Sequence, residues 1–194
     1  HPQYQNTFFE YLNELQSKGL QVFVTSHSPT ITAKSDVNNI SILQRKQSII
    51  QSFSFDELSE DDYPKESKRH LRKFLDTTKA QLFFANGVLL VEGVAEAIII
   101  PILAKKFLTE KIDLCKSGIE LVNIGGVAFN HFGLLFNNDD ERKRLLSKCA
   151  IITDSDPKDN GDISDRAQKA KDLEKHNLKV CLAPHTLEYD LFEQ

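Results

Sequence analysis

Residues 89–100 read LLVEGVAEAIII, a stretch that sets two glutamates four positions apart within an otherwise apolar run. Its first three residues have the continuous apolar character of a buried strand, and residues 98–100 would pack a following helix on the sheet. Glu92 and Glu96 would then lie at the strand-to-helix turn, on one face of the helix. The helix N-terminus offsets only part of their mutual repulsion. The stretch therefore predicts an acidic turn that needs a cation.

The alternation of strand and helix continues along the chain. Strands are predicted at 87–91, 119–124, 149–153 and 178–183, and helices at 94–108, 127–136 and 163–176. Apolar strands that alternate with amphipathic helices indicate an α/β fold, a mostly parallel sheet with helices on both faces. In such a sheet, ligands bind beyond the carboxyl ends of the strands.

Acidic residues follow three of the four predicted strands. Glu92 and Glu96 follow the first strand, the pair Gly125–Gly126 the second, Asp154 and Asp156 the third, and Glu188 and Asp190 the fourth. Clustered carboxylates without a nearby Lys or Arg, and without His or Cys at zinc spacing, suit Mg²⁺ first and Mn²⁺ next. Singly, Glu96 reads as a helix-dipole residue and DSDPKDNGD as a solvated turn. Together, at one edge, they predict a metal site.

The first 81 residues have a different organisation. A helix is predicted at 3–18 with Gly19 as its cap, followed by a buried strand at 20–26 and a hairpin formed by NISILQR and SIIQSFSF. Residues 56–81 are highly charged and predict a helical linker. Its candidate packed face consists of Tyr63, Leu71, Phe74 and Leu75.

The composition limits the classes of protein to consider. The 194 residues carry a formal net charge of -4, so there is no overall basic signature of a nucleic-acid coat. No apolar run is long enough for a membrane span. The three cysteines lie far apart, without CxxC spacing and in an odd number, so we expect reduced core thiols. We therefore expect a cytoplasmic protein without membrane contact. The chain starts at His1 and contains no Met, so we also expect it to be part of a longer protein.

The motifs VLLVEGVAE, IGG, IITDSD and TLEYDL, in this order, resemble the Toprim domain of type IIA topoisomerases, bacterial primases and OLD-family nucleases. Their spacing is most similar to the OLD (overcoming lysogenization defect) family, over residues 82–194. The resemblance implies a metal-dependent DNA endonuclease that uses two Mg²⁺ or Mn²⁺ ions. It implies catalytic roles for Glu92, Asp154 and Asp156, metal binding by these three with Glu96 and Glu188, and close approach of backbone or substrate at Gly125–Gly126.

The segment QVFVTSHSP and the opening HPQ resemble the last part of an ABC-type ATPase domain, which precedes Toprim in the OLD family. The implied domains are 1–55 (the end of the ATPase), 56–81 (linker) and 82–194 (Toprim). His27 would contact the γ-phosphate of ATP in the longer protein. This chain alone has no GxxxxGK[ST] loop and is not expected to bind ATP. The resemblance further implies a homodimer through the ATPase domain, sometimes a helicase-like partner, and a role in phage defence or DNA repair.

Two other functions remain open at this stage. A topoisomerase- or primase-type Toprim would use the same metals, and the former would also need a tyrosine nucleophile. A scaffold or recruitment module would need neither metal nor catalysis. OLD nucleases are also expected to carry a basic residue after the last acidic motif. Lys148 and Lys158 are weak candidates for it, and it could lie beyond Gln194.

Overall fold

The computed structural model describes residues 2–107, 112–126, 128–158 and 161–192, including all their side chains except those of residues 2, 3, 5, 6 and 188. In the amino-terminal part, the elements are α1 (Pro2–Ser17), α2 (Pro29–Lys34), β1 (Ser41–Lys46), β2 (Ile49–Ser54), α3 (Lys65–Phe74) and α4 (Thr77–Ala80). The predicted first helix is confirmed. Gly19 ends it with a φ of 85°, and its amide donates to the carbonyl of Gln16 at 2.9 Å.

The strand predicted at 20–26 is wrong. These residues have irregular backbone, and Phe23 within them is 84% exposed. A β-prone sequence forms a strand only beside a neighbour that accepts its hydrogen bonds, and none of the described strands pairs with this segment. Residues 20–26 do have the apolar sequence of a strand, but none of the described strands supplies the hydrogen bonds that a strand there would need.

The predicted hairpin is confirmed as the antiparallel pair β1–β2. It is fixed to the chain segment that leads into the later sheet. Lys46 forms an ion pair with Glu141 at 2.5 Å, and the Gln44 side chain accepts a hydrogen bond from the Leu146 amide at 2.6 Å. The Gln51 side chain donates to the Glu141 carbonyl at 3.2 Å. The hairpin is therefore part of the same packed structure.

The charged segment 56–81 is packed more tightly than its composition suggests. Tyr63, Leu71 and Leu75 are buried as predicted, whereas Phe74 is 42% exposed. The Tyr63 hydroxyl donates to the backbone carbonyl of His131. One hydrophobic cluster runs from Val37 to Val180, so packing is continuous across residues 55 and 81. The three-part division of the chain stays a prediction.

The second half of the chain forms the parallel sheet. Its elements are β3 (Gly87–Val91), α5 (Val94–Phe107), β4 (Ile119–Asn123), α6 (Phe129–Gly133), β5 (Lys148–Asp154), α7 (Asp165–Lys171), β6 (Leu178–Ala183) and α8 (Leu187–Phe192). The strand order is β4-β3-β5-β6, and every neighbouring pair is parallel. The α/β fold, a parallel sheet flanked by helices, is thus confirmed.

Several details differ from the sequence analysis. Helices α6 and α7 are shorter than the predicted 127–136 and 163–176, and residue 127 lies outside the described part. Helix α8 was not predicted. Cys149 is buried, which raises the pKa of its thiol, but Cys115 and Cys181 are exposed, so the expectation of three core thiols is wrong.

Helix α5 is apolar on more than one side. Ile98, which was expected to pack on the sheet, is 60% exposed, and Val94 and Ile102 on the same side are 65% and 48% exposed. Residues at i, i+4 and i+8 form one stripe on a helix, so the sheet covers only the other side. Among the described residues, no helix combines the length and apolar character required to cross a bilayer.

Candidate active site

The parallel register brings the predicted acidic residues to one edge of the sheet. Glu92 follows the last residue of β3, which lies between β4 and β5. Asp154 is the last residue of β5 and is paired with Ala183 of β6. Because all four strands run in the same direction, the loops after them share this carboxyl edge. The predicted gathering of Glu92, Asp154 and Asp156 at this edge follows directly from the topology.

The Glu92 side chain is oriented by two neighbours. The hydroxyl of Thr153, itself only 3% exposed, donates to Glu92 Oε1. The guanidinium of Arg166 reaches the same oxygen at 3.3 Å. Only 16% of the Glu92 side chain is exposed, so Glu92 is a nearly buried carboxylate at the carboxyl edge of the sheet. A carboxylate so placed needs compensating charge.

Asp154 is the most perturbed acid at this edge. Its Oδ1 accepts a hydrogen bond from the Leu187 amide, the first residue of α8, at 3.1 Å. Burial and the negative charges of Glu92, Asp156 and Glu96 nevertheless raise the pKa of Asp154 to about 6. Unneutralised negative charge is thus concentrated at this position, and a cation bound there would relieve it.

Asp156 is held by the backbone around it. Its φ of 42° lies in the left-handed region, which aspartate tolerates better than most residues. The intervening Ser155 is buried, and its hydroxyl donates to the Pro184 carbonyl. The Ser155 carbonyl accepts from the Ser164 amide at 2.9 Å. The acidic loop is thereby tied both to the chain after β6 and to the start of α7.

Glu96 has a structural task in addition to its charge. Its Oε2 accepts a hydrogen bond from the amide of Gly93 at 3.1 Å. Glu96 is the third residue of α5, so this contact is the glutamate half of a capping box. The interpretation of Glu96 as a residue that stabilises the helix N-terminus is therefore correct. Its charge still contributes to raising the pKa of Asp154.

Arg166, which the sequence analysis did not identify, lies within the acidic cluster. Its guanidinium contacts Glu92 at 3.3 Å and Asp156 more closely still. The expectation that no Lys or Arg lies near the carboxylates is therefore wrong. A signal was available, since Arg166 is the second residue of the helix after the third strand. In a parallel sheet, the first turn of a helix that follows a strand lies at the carboxyl edge.

The two lysines considered for the basic role are placed elsewhere. Lys148 is the first residue of β5 and so lies at the opposite edge of the sheet from Asp154, which ends that strand. Lys158 pairs with Asp165 at 2.7 Å on the exposed side of α7. Of the three cations, Arg166 is the one in contact with the predicted acids.

Gly125 and Gly126 are required by the backbone conformation. Their φ angles are 70° and 124°, and an added Cβ would meet no atom within 4 Å at either position. The amide of Gly126 donates to the Glu92 carbonyl at 2.8 Å, which joins the loop after β4 to the end of β3. The backbone therefore approaches closely at Gly126, close approach of a substrate at this pair stays a prediction, and the open space beside both glycines leaves room for a ligand.

Two predicted site residues cannot be assigned to the cluster. Glu188 lies in α8, at the correct edge, but its side chain is outside the described part. His27 is exposed in the loop before α2. Their predicted roles in binding a metal and ATP stay predictions.

The donor set suits a hard divalent cation, but the side chains are not arranged to hold one. Carboxylate oxygens are the ligands that Mg²⁺ and Mn²⁺ prefer. Among the described residues, however, no three His, Cys, Asp or Glu side chains converge closely enough to share an ion. Glu92 and Asp156 are engaged with Arg166, and Glu96 with the helix cap. The chemistry fits, whereas metal binding requires these side chains to turn.

Comparison with known proteins gives the class of this domain. Residues 83–156 match the family model described as "Overcoming lysogenization defect protein-like, TOPRIM domain", a range that includes four of the five predicted acids. The matched range contains β3, β4 and β5, so this part of the sheet is similar to a Toprim domain.

The matched family model is the OLD-like form of this domain. The Old nuclease of Escherichia phage P2 is 27% identical over 154 residues, which are 79% of this chain and 26% of the phage protein. The chain thus spans about a quarter of that relative. Two structures of the C-terminal region of the Xanthomonas campestris pv. campestris OLD protein are also similar. They are 26% and 28% identical, with TM-scores of 0.39 and 0.40, and the matches cover 57% and 58% of this chain and 57% and 56% of those chains.

Proposed function

We propose that the carboxyl edge of the sheet is a divalent-cation-dependent site that hydrolyses phosphodiester bonds in DNA. The observation that carries the proposal is the convergence of acids around Asp154, whose pKa is raised to about 6 by burial and by these neighbouring charges. Acids that repel one another in a partly desolvated place favour a bound cation. The OLD-like domain type and the nuclease name of the phage relative support the same chemistry.

Glu92, Asp154 and Asp156 are the residues that would hold Mg²⁺ or Mn²⁺, with Glu96 and Glu188 as further acids. Two such ions, when bound, supply charge neutralisation at the phosphate and a water of lowered pKa. The Thr153 hydroxyl donates to one oxygen of Glu92, and the Leu187 amide donates to one oxygen of Asp154, so both carboxylates are held at the carboxyl edge. In the reaction, a water oxygen bonds to phosphorus while the bond from phosphorus to the sugar oxygen breaks, and that oxygen leaves with a proton.

The test is plasmid cleavage by the full-length protein with Mg²⁺, with Mn²⁺ and with EDTA. Glu92→Gln and Asp154→Asn should each reduce cleavage more than about a hundredfold, because each removes a negatively charged ligand. Asp165→Asn is the matched control, since this carboxylate lies on α7 and pairs with Lys158. Cleavage that persists in EDTA, or in both site variants, would show that the site is assigned wrongly.

The same assay separates the two alternative functions. Tyr63 cannot serve as a topoisomerase nucleophile, since it is 1% exposed and its hydroxyl donates to the His131 carbonyl. Tyr189 is 45% exposed on α8, which follows the acidic edge. A covalent protein–DNA adduct lost in Tyr189→Phe would therefore favour strand transfer over hydrolysis. A scaffold would leave the plasmid intact and show no saturable binding of Mn²⁺ in calorimetry.

For the longer protein, we propose the arrangement that the resemblance of QVFVTSHSP implies. An ABC-type ATPase would use His27 at the γ-phosphate of ATP, join two copies into a dimer, and act in the cytoplasm in phage defence or DNA repair, sometimes with a helicase-like partner. ATP hydrolysis by the full-length protein that is lost in His27→Ala, with the fold intact by circular dichroism, is the expected result. Unchanged hydrolysis would refute the role of His27.

A further inference from the structure

Arg166 offsets part of the negative charge of the acidic cluster through two of the carboxylates that are proposed to hold a metal. It contacts Glu92 Oε1 at 3.3 Å and Asp156 Oδ2 at a shorter distance. These acids come from the ends of two different strands, and one guanidinium serves both. Arg166 is therefore the counter-charge of the cluster among the described residues.

A divalent cation bound by these carboxylates would compete with Arg166 for the same negative charge. A carboxylate oxygen that coordinates Mg²⁺ lies about 2.1 Å from it, and a guanidinium on the same oxygens would meet the charge of the ion. Glu92 Oε1 also accepts the Thr153 hydroxyl, so this oxygen already has two donors. The absence of any three converging acids in the described part of the chain agrees with a site that Arg166 keeps closed.

One hydrogen-bond donor of the Arg166 side chain lacks an acceptor among the described residues. Its Nε is buried and has no hydrogen-bond acceptor within the described residues. A buried donor without an acceptor is costly, and it marks a position from which the side chain gains by moving to a better one. The side chain is also 36% exposed, so a path toward solvent exists. A phosphate accepts two parallel bonds from a guanidinium, which is a geometry that a lysine cannot reproduce.

We propose that Arg166 is an exchangeable counter-ion: it occupies the acidic cluster before cation entry, leaves Glu92 and Asp156 when a divalent cation binds, and is then available to a phosphate of the nucleic acid. This inference rests on the proposed function. Metal entry is coupled to release of the arginine, so the cation and the phosphate are received together.

Calorimetric titration of Mn²⁺ into the full chain, without nucleic acid, tests the exchange. Arg166→Ala should bind Mn²⁺ roughly three- to tenfold more tightly than the parent, because a competing partly exposed ion pair is gone. Arg166→Lys should fall between them, since a lysine competes as a single charge. Lys158→Ala is the matched control, because it removes a nearby cation that pairs with Asp165 and should leave the affinity unchanged.

The outcomes separate this inference from the proposed function. If the parent binds Mn²⁺ and Arg166→Ala binds it equally or more weakly, the exchange is refuted while the metal site stands. If Arg166→Ala binds Mn²⁺ and the parent does not, Arg166 is a fixed block that the cation does not displace, and the exchange is refuted. If neither binds Mn²⁺, both proposals fail. If Arg166→Ala and Lys158→Ala gain the same affinity for Mn²⁺, the gain comes from the change in net charge, and the exchange is also refuted.

Discussion

Replacing Asp154 with asparagine should make the metal-free protein more stable. The asparagine side chain would still be able to accept the hydrogen bond that the Leu187 amide now donates to Asp154 Oδ1. The change removes a charge that repels Glu92, Asp156 and Glu96, which together with burial raise the pKa of the Asp154 carboxyl. A residue proposed to be essential for activity should therefore be unfavourable for folding at neutral pH.

The size of the effect follows from the pKa of Asp154. It rises from 3.8 to about 6 in the folded protein, a difference of about 2 units, or roughly 3 kcal/mol for a fully buried group. Because Asp154 is only half-buried and solvent screens its charge, we reduce this to about 1 kcal/mol. For a chain of this size, the melting temperature of Asp154→Asn should be about 2–4 °C higher.

The sign depends on pH in a specific way. The folded protein holds the Asp154 proton more tightly than the unfolded chain, so the free energy of unfolding of the parent falls as pH rises from about 4 to about 6. Below that range, Asp154 is protonated in both states and the advantage of Asp154→Asn should vanish. Urea denaturation in EDTA at several pH values from about 3.5 to about 8 measures the difference directly.

Two controls make this result interpretable. Asp165→Asn should not be stabilised, because Lys158 lowers the pKa of the Asp165 carboxyl instead of raising it. Adding Mn²⁺ should stabilise the parent and not Asp154→Asn. The reasoning is refuted if Asp154→Asn is no more stable than the parent at about pH 8 in EDTA, or if its advantage is the same at about pH 3.5.

Three further predictions are each measured by urea denaturation, two for the loops at the site and one for the packing of α3 on α6. Ser155→Ala should lower the free energy of unfolding by about 1–3 kcal/mol, because the Pro184 carbonyl loses its buried donor, and an unchanged midpoint would contradict this. Gly126→Ala, at a φ of 124°, should lower the free energy of unfolding by about 1–3 kcal/mol, and an unchanged free energy would contradict the need for glycine at this φ. His70 stacks on His131 at 4.2 Å, and burial lowers the pKa of both rings, so stability should fall as pH drops below about 6.5. His70→Phe, compared in an Asp154→Asn background, should reduce that fall.

Two strands were predicted with the bounds that the structure gives, β3 and β6. Strand β3 lies between β4 and β5 and is a continuous apolar run, and β6, at the edge of the sheet, is apolar at every position except Lys179. The acidic edge followed from the same reasoning, because parallel strands deliver their carboxyl ends to one side. Helix lengths were less predictable, and both α6 and α7 end before their apolar pattern does.

The errors arose where a residue depends on partners distant in sequence. Residues 20–26 have strand-forming side chains but no paired neighbour among the described strands, and Ile98 is apolar but faces away from the sheet. Arg166 was missed because it is ten residues from Asp156 in sequence and a direct contact in space. The capping bond of Glu96 also depends on geometry, although its spacing from Gly93 is a recognisable signal.

The left-handed backbone at Asp156 restricts how this site can change over evolution. Asparagine and glycine are the replacements that fit a φ of 42° without strain, whereas glutamate would keep the charge and strain the loop. Loss of the acid through asparagine would therefore cost the fold little. A descendant could keep the whole sheet and its loops while losing one proposed ligand, so the shape of this domain is weaker evidence of cleavage than the identity of residue 156.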